Sequence, residues 1–207
     1  FLFGCKESGN QESKVETDES FNKVKTAGVF VLGLDDSFPP MGFRDKENNI
    51  VGFDIDLATE VCARLGLQLK TQPISWDAKE QELNTGKIDC IWNGMSVDSA
   101  RAKAMNLSDA YLKNRMIFTV KDKSLASLSA LAGKKIAVQN GSTAQKLLEA
   151  SEAGKAAKEI VPFDDNQTAL MDLEKGGVEA VFLDEIVAKY WITTNAKDYV
   201  VLEEGLS

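Results

Sequence analysis

Histidine does not occur among these 207 residues. Its absence removes the commonest general base, every Ser–His or Cys–His pair and the commonest metal ligand. An enzyme built on this chain would have to use Glu, Asp, Lys or Tyr. Basic residues are also short: 24 Lys and Arg stand against 32 Asp and Glu, a formal net charge of -8. That balance lacks the basic footprint of a nucleic-acid binder, so nucleic acid is not an expected partner. Long hydrophobic runs are missing, and no stretch approaches the roughly 18 apolar residues of a membrane-spanning helix. Only three cysteines occur, Cys5, Cys62 and Cys90, at spacings that suit no zinc site. Cys62 falls on the apolar side of a predicted helix and Cys90 inside a predicted strand. Both are expected to be buried free thiols, since free Cys behaves as a small hydrophobe. Nothing in the pattern calls for a cofactor or a metal.

What is present is a globular composition, 43% hydrophobic and 27% charged, enough for one sizeable domain or two small ones. The first five residues, Phe-Leu-Phe-Gly-Cys, put Leu2 three places and Gly4 one place before Cys5. Apolar residues, a small residue and then Cys resemble the end of a bacterial lipoprotein signal peptide, with Cys5 as the lipidation site. Residues 6–23 are polar, charged and poor in large apolar side chains, the composition of a flexible tether. A lipid on Cys5 followed by a tether would hold a domain at a membrane surface.

The folded part is expected to start near Val24. Residues 29–35 read as a buried strand, "DSFPPMGF" as a loop, and "IVGF" as a short extended piece. Asp54 is placed to cap a helix that buries Ile55, Leu57, Ala58, Val61, Cys62 and Leu65 and stops at Gly66. Further strands and helices alternate to the end, which predicts an α/β fold with mostly parallel sheets. One segment recurs: Leu83-x-x-Gly86-x-Ile88-Asp89-x-Ile91 matches Leu173-x-x-Gly176-x-Val178-Glu179-x-Val181 without a gap. Common strand–helix grammar could produce this, but two similar lobes are the simpler account. Sheets of this type bind ligands at the carboxyl ends of their strands.

The residues just past the predicted strands therefore carry the functional reading. They are Asp35, Asp36 and Phe38; Trp76; Asn93, Gly94 and Ser96, with Arg101 beyond; Gln139, Gly141, Ser142 and Thr143; and Asp184. Arg101 lies in the first turn of a predicted helix, the positive end of its dipole, so it should hold something negative. A guanidinium matches a carboxylate with two parallel hydrogen bonds. Gly-Ser-Thr opening a helix offers free backbone N–H groups. Asp184 can accept from an ammonium, and Phe38 and Trp76 can flank a side chain. Together they outline a site for a small zwitterion. Each also has a plain structural reading. Arg101 could pair with Asp98 at the surface, Trp76 could be a core aromatic, Gly-Ser-Thr a capping turn and Asp184 an N-cap.

Five stretches, "GLDDSFPPMGF", "VGFDIDLATEV", "GKIDCIWNGMSVDSARAKAMNLSDAY", "LAGKKIAVQNGST" and "VEAVFLDEIVA", resemble the solute-binding proteins of bacterial ABC importers, in the polar amino acid subfamily. The resemblance implies an α/β fold of two similar three-layer lobes, the type II periplasmic-binding-protein or Venus-flytrap architecture, with the ligand cleft between them. Lobe one would run over residues 24–113 and lobe two over 114–207. It further implies that Arg101 holds the ligand α-carboxylate, helped by the backbone at Gly94, Ser96 and Thr143, with Ser142 among the ligand-binding residues. Asp184 would hold the α-ammonium, Phe38 and Trp76 would sandwich the side chain, and Asp35 would meet its distal polar end. Gln139 and Asn93 would line the same space. The implied function is delivery of a polar amino acid, glutamine-like or basic, to an ABC permease, as a monomer outside the cytoplasmic membrane. No catalysis is expected. The alternatives are a cleft enzyme of the same fold, such as a dehydratase acting on a prephenate-like substrate, or an extracellular amino acid sensor. Members of the family continue past the point corresponding to Ser207, returning to the first lobe with a further strand and helices, so a C-terminal truncation is expected.

Overall fold

The structure, a computed structural model, describes residues 19–206. Cys5 and most of the expected tether lie outside the described residues. Helix α1, Ser20–Ala27, begins four residues ahead of the expected fold boundary and ends at Gly28 in the left-handed conformation. It buries Val24, the one apolar side chain that can reach the lobe behind it.

The first lobe is built on β1 (Val29–Leu34). The segment read as a loop instead contains two strands, β2 (Ser37–Phe38) and β3 (Gly42–Arg44), which pair antiparallel with each other and then with β4 (Ile50–Val51). Helix α2 (Phe53–Leu65) follows, with Gly52 rather than Asp54 at its N-cap. After it come β5 (Gln68–Pro73), a single 3-10 turn over Trp76–Ala78, α3 (Lys79–Asn84), β6 (Cys90–Ile91) and α4 (Ser99–Ala104). The sheet order is β5-β1-β6, all parallel. Alternate residues of β1 point to α2, so Leu32 and Leu34 pack with Ile55 and Ala58. On the other face Gly33 leaves room for Ile88, whose Cδ1 lies 2.4 Å from where a Cβ would sit.

The second lobe contains β7 (Met116–Val120), β8 (Lys135–Gln139), α5 (Thr143–Ala150), α6 (Glu152–Ala156), β9 (Glu159–Phe163), α7 (Asn166–Lys175), β10 (Ala180–Asp184), α8 (Glu185–Thr194) and β11 (Val200–Leu206). Its order is β11-β7-β10-β8-β9. The expectation of mostly parallel pairing fails here: β7 runs antiparallel to β10, and β11 antiparallel to β7. Helices cover both faces. Ile117, Ala137, Val181 and Leu183 pack on α7 and α8, while Phe118, Ile136, Val138 and Phe182 pack toward α5 and Leu131. Burial on both faces explains why these strands read as unbroken apolar runs instead of alternating ones.

The recurring segment occupies equivalent places in the two lobes. Gly86 and Gly176 both take the left-handed conformation, at φ 71° and 82°. Ile88 and Val178 are buried alike. Asp89 Oδ2 accepts from the Val31 N–H at 2.8 Å, and Glu179 Oε2 from the Lys135 N–H at 2.8 Å. Each carboxylate thus anchors the start of its lobe's inner parallel strand. Cys62 is a buried free thiol as expected; Cys90 is free but only half-buried.

Candidate functional site

The carboxyl ends of β1 and β6 face those of β8 and β10, where Arg101 meets Thr143 and Asp35 meets Gln139 across the lobes. Helix α4 is opened by Asp98, whose Oδ1 accepts from the Arg101 N–H at 2.8 Å. This capping turns the Arg101 side chain inward, where it is 1% exposed. Its Nη1 donates to the Ser96 carbonyl at 2.7 Å and, across the lobes, to Thr143 Oγ1 at 2.9 Å. Its Nε lies 3.7 Å from Asp98 Oδ2 and makes no hydrogen bond. Burial works against the Arg101 charge, while Asp98, Glu80 and Asp184 support it. The pairing with Asp98 read from the sequence is thus present, though inside the protein and not at its surface, and it leaves the buried Nε without a hydrogen-bond partner, a donor that an anion can use.

Thr143 is carried by the turn after β8. Gly141 takes φ 67°, and Ser142 caps α5 by accepting from the Gln145 N–H at 3.0 Å. A Cβ on Gly141 would lie 2.9 Å from Asp77 Cα of the first lobe, so glycine permits this close approach. The Gly-Ser-Thr segment is therefore a capping turn and an interlobe contact together. Asp184 closes β10 and heads α8, yet its side chain makes no cap hydrogen bond. It accepts instead from Asn114 Nδ2. Burial raises its pKa to about 6, opposed by the Asn114 hydrogen bond and by Arg101.

Asp35 lies at the other end of the group, buried after β1. Its oxygens accept from the Ser37 N–H at 2.8 Å and, across the lobes, from Gln139 Nε2 at 2.6 Å. Desolvation raises its pKa to about 6 against those two hydrogen bonds. Gln139 also donates to the Asp164 carbonyl at 3.2 Å and accepts from Asn166 Nδ2 at 3.0 Å. Asp36 does not join this end, because it pairs with Arg44 at 2.5 Å. Phe38 and Trp76 are both buried, and Phe38 packs into the core cluster of the second lobe.

The β6 end is arranged differently from expectation. The Gly94 N–H already donates to Tyr111 Oη at 3.2 Å, and Tyr111 donates to Asp54 Oδ1 at 2.8 Å. Asn93 is buried with its Oδ1 unbonded. A cavity of about 550 Å³ runs alongside, bounded by Phe38, Asn93, Gly94, Ser96 and Asp184 and by the 105–114 segment. Arg101, Trp76, Asp35, Gln139, Ser142 and Thr143 do not line it. Sequence reasoning missed Asn114 and Asn166, which hold Asp184 and Gln139, and Lys79. Lys79 is buried although it sits in a polar segment.

Comparison with known proteins was informative. Residues 30–192 match the model of the bacterial extracellular solute-binding proteins, family 3. ABC transporter arginine-binding protein 1 of Escherichia coli K12 is 29% identical over 173 residues, covering 84% of this chain and 70% of that protein. The putative ABC transporter arginine-binding protein 2 of the same organism is 31% identical over 161 residues, covering 78% of this chain and 65% of the relative. The chain thus spans about two thirds of the length of these curated relatives. A histidine-bound ABC uptake transporter substrate-binding protein from Streptococcus pneumoniae superposes with a TM-score of 0.86 at 32% identity, covering 92% of this chain and 80% of that one. The arginine-bound form of truncated ArgBP from T. maritima gives 0.81 at 36% identity, covering 90% and 87%.

Proposed function

The chain belongs to the bacterial extracellular solute-binding proteins of family 3, and on that premise we propose that it captures a polar amino acid and delivers it to an ABC permease. The observation that carries the reading is Arg101: a buried guanidinium with a free Nε, seated where the two lobes touch. An amino acid carboxylate supplies the missing partner through charge-assisted hydrogen bonds. Thr143 brings the second lobe to the same group, so a ligand on Arg101 also favours closure. Asp184, charged once an ammonium approaches, takes the other end of the zwitterion. Phe38 and Trp76 enclose the side chain. Ser96 and Ser142 act at one remove, Ser96 by holding Arg101 and Ser142 by capping the Thr143 helix. Gly94 and Asn93 shape the wall.

Asp35 sets the side-chain class. Its buried carboxylate, met only by the Ser37 amide and the Gln139 carboxamide, favours a cationic side chain over a neutral one. The relatives named above for arginine and histidine agree in class. They are binding proteins, and none supports the dehydratase reading. An extracytoplasmic location follows from the family, and attachment through a lipid on Cys5 belongs to the same reading. Labelling with radioactive palmitate that persists in Cys5→Ala would remove the anchor.

The deciding experiment is a thermal-shift panel of the twenty amino acids plus ornithine and cystine. A ligand that binds only the folded form raises the melting temperature by mass action. Shifts confined to arginine, lysine, ornithine or histidine are expected. A shift for glutamine alone would transfer the specificity to the Gln139–Asn166 pair, and no shift at all would overturn the amino acid reading.

A further inference from the structure

Lys79 is the one lysine buried in the described residues, 4% exposed at the first position of α3. Nothing in the proposed site uses it. Its Nζ donates to the Trp76 carbonyl at 2.9 Å, within its own lobe, and to the Gly141 carbonyl at 3.0 Å, in the other lobe. The same ammonium lies 4.9 Å from the centre of the Trp76 ring. Around it the backbones of the lobes nearly touch, since Gly141 has no room for a Cβ beside Asp77. Asn140 Nδ2 adds a 3.3 Å bond to Asp77 Oδ2 across the same seam.

A lysine at the rim of a cleft would ordinarily leave its charge in water. Here burial costs it, and Arg101 beside it adds repulsion, so its pKa falls to about 8. Lys146 adds to that repulsion, while Glu80 and Asp77 counter it. The Trp76 carbonyl and ring offset part of the cost within the first lobe, and the Gly141 carbonyl adds its share only while the lobes are together. We propose that Lys79 is an interlobe latch that holds the closed form and prolongs the residence of the bound ligand. The proposal rests on the binding-protein reading for what is retained, but not for the latch itself. A carboxylate on Arg101 would cancel the repulsion that Arg101 exerts on Lys79, so the latch tightens when a ligand is held.

The test uses the full chain with Lys79→Met, which keeps the apolar stem against Trp76 and removes the charge, and with Lys79→Arg, which restores a charged donor. Stopped-flow tryptophan fluorescence measures ligand dissociation, with arginine as the first probe. Lys79→Met is expected to raise the dissociation rate about tenfold with association changed less than threefold, and Lys79→Arg to recover most of the loss. Small-angle scattering of the ligand-free proteins is the second readout, and Lys79→Met should be the more open of the two. If the wild type binds no amino acid, the functional reading fails on that result, and scattering alone decides the latch. Unchanged dissociation with unchanged dimensions would overturn the latch. So would loss of folding in both Lys79→Met and Lys79→Gln, since Lys79 would then support its own lobe and not the junction.

Discussion

Arg101 joins local sequence to distant function. Asp98 stands at the N-cap of α4, a position that favours Asp because its carboxylate accepts from a free N–H of the first turn. Its cap fixes the helix start and so aims Arg101 inward. The partner Thr143, 42 residues away, could be reached only through the family resemblance, as could the pairing of Asp35 with Gln139. Arg101→Ala is expected to weaken amino acid binding by about 100-fold or more, the cost of stranding a buried carboxylate. Calorimetry checks this, with circular dichroism to confirm the fold; retained affinity would remove Arg101 from the ligand. The acids give a pH signature. Burial raises Asp184 and Asp35 from 3.8 to about 6, so the native state holds protons that the unfolded chain releases. The contribution of these two acids to ligand-free stability is then fully present below about pH 4 and is lost as pH rises through 6. Glu185, held down from 4.5 to about 2 by Arg115 and Lys189, has the opposite sign: its contribution is present above about pH 4.5 and is lost as pH falls toward 2. Binding runs opposite to the two buried acids. An ammonium needs Asp184 ionised, so affinity should rise roughly tenfold per pH unit up to about 6 and then level. Calorimetry in buffers of different ionisation heat should detect proton release near pH 5; its absence would place Asp184 away from the ammonium.

At the scale of elements, the helices and most strands were readable, whereas strand direction was not. The apolar runs of β7 and β11 look alike in either direction, so their antiparallel pairing left no trace in the residues. Short strands hidden in the proline-rich "DSFPPMGF" segment were equally silent. The Gly-Phe-Asp-Ile-Asp-Leu stretch carried the family resemblance, but the cap expected within it is misplaced. Asp54 does not cap α2; it sits in the first turn, favoured by the helix dipole, and holds Tyr111, which in turn holds Gly94. The cap is Gly52, at φ 134° and ψ 174°, with Met41 O only 2.4 Å from where a Cβ would stand. Both the backbone angles and the space there are open to glycine alone. Gly52→Ala should therefore cost about 2–3 kcal/mol in chemical denaturation. A loss below about 0.5 kcal/mol would mean that α2 can restart one residue later without strain.

For the molecule as a whole, the internal repeat made two lobes legible, but not their inequality. Asp89 and Glu179 do the same work in each sheet, yet the surroundings differ. The second sheet has five strands with both faces covered, and its β10 is buried at every position. Among the described residues the first has three strands, and its buried apolar cluster is Leu32, Leu34, Ile55 and Ala58, smaller than either cluster of the second sheet. Apolar burial is the main favourable term in folding, so local opening should be cheaper in the first lobe. Hydrogen exchange on the ligand-free protein is expected to show β1 and β5 exchanging faster than β8 and β10. A ligand held between Arg101 and Asp184 must be released before the first lobe opens, so it makes that opening more costly. Added ligand should accordingly slow exchange in β1 and β5 until the gap between the lobes narrows. Equal protection without ligand would show that the lobes unfold as one unit, in which case the Arg101–Thr143, Asp35–Gln139 and Lys79–Gly141 bonds couple them even when no ligand is held.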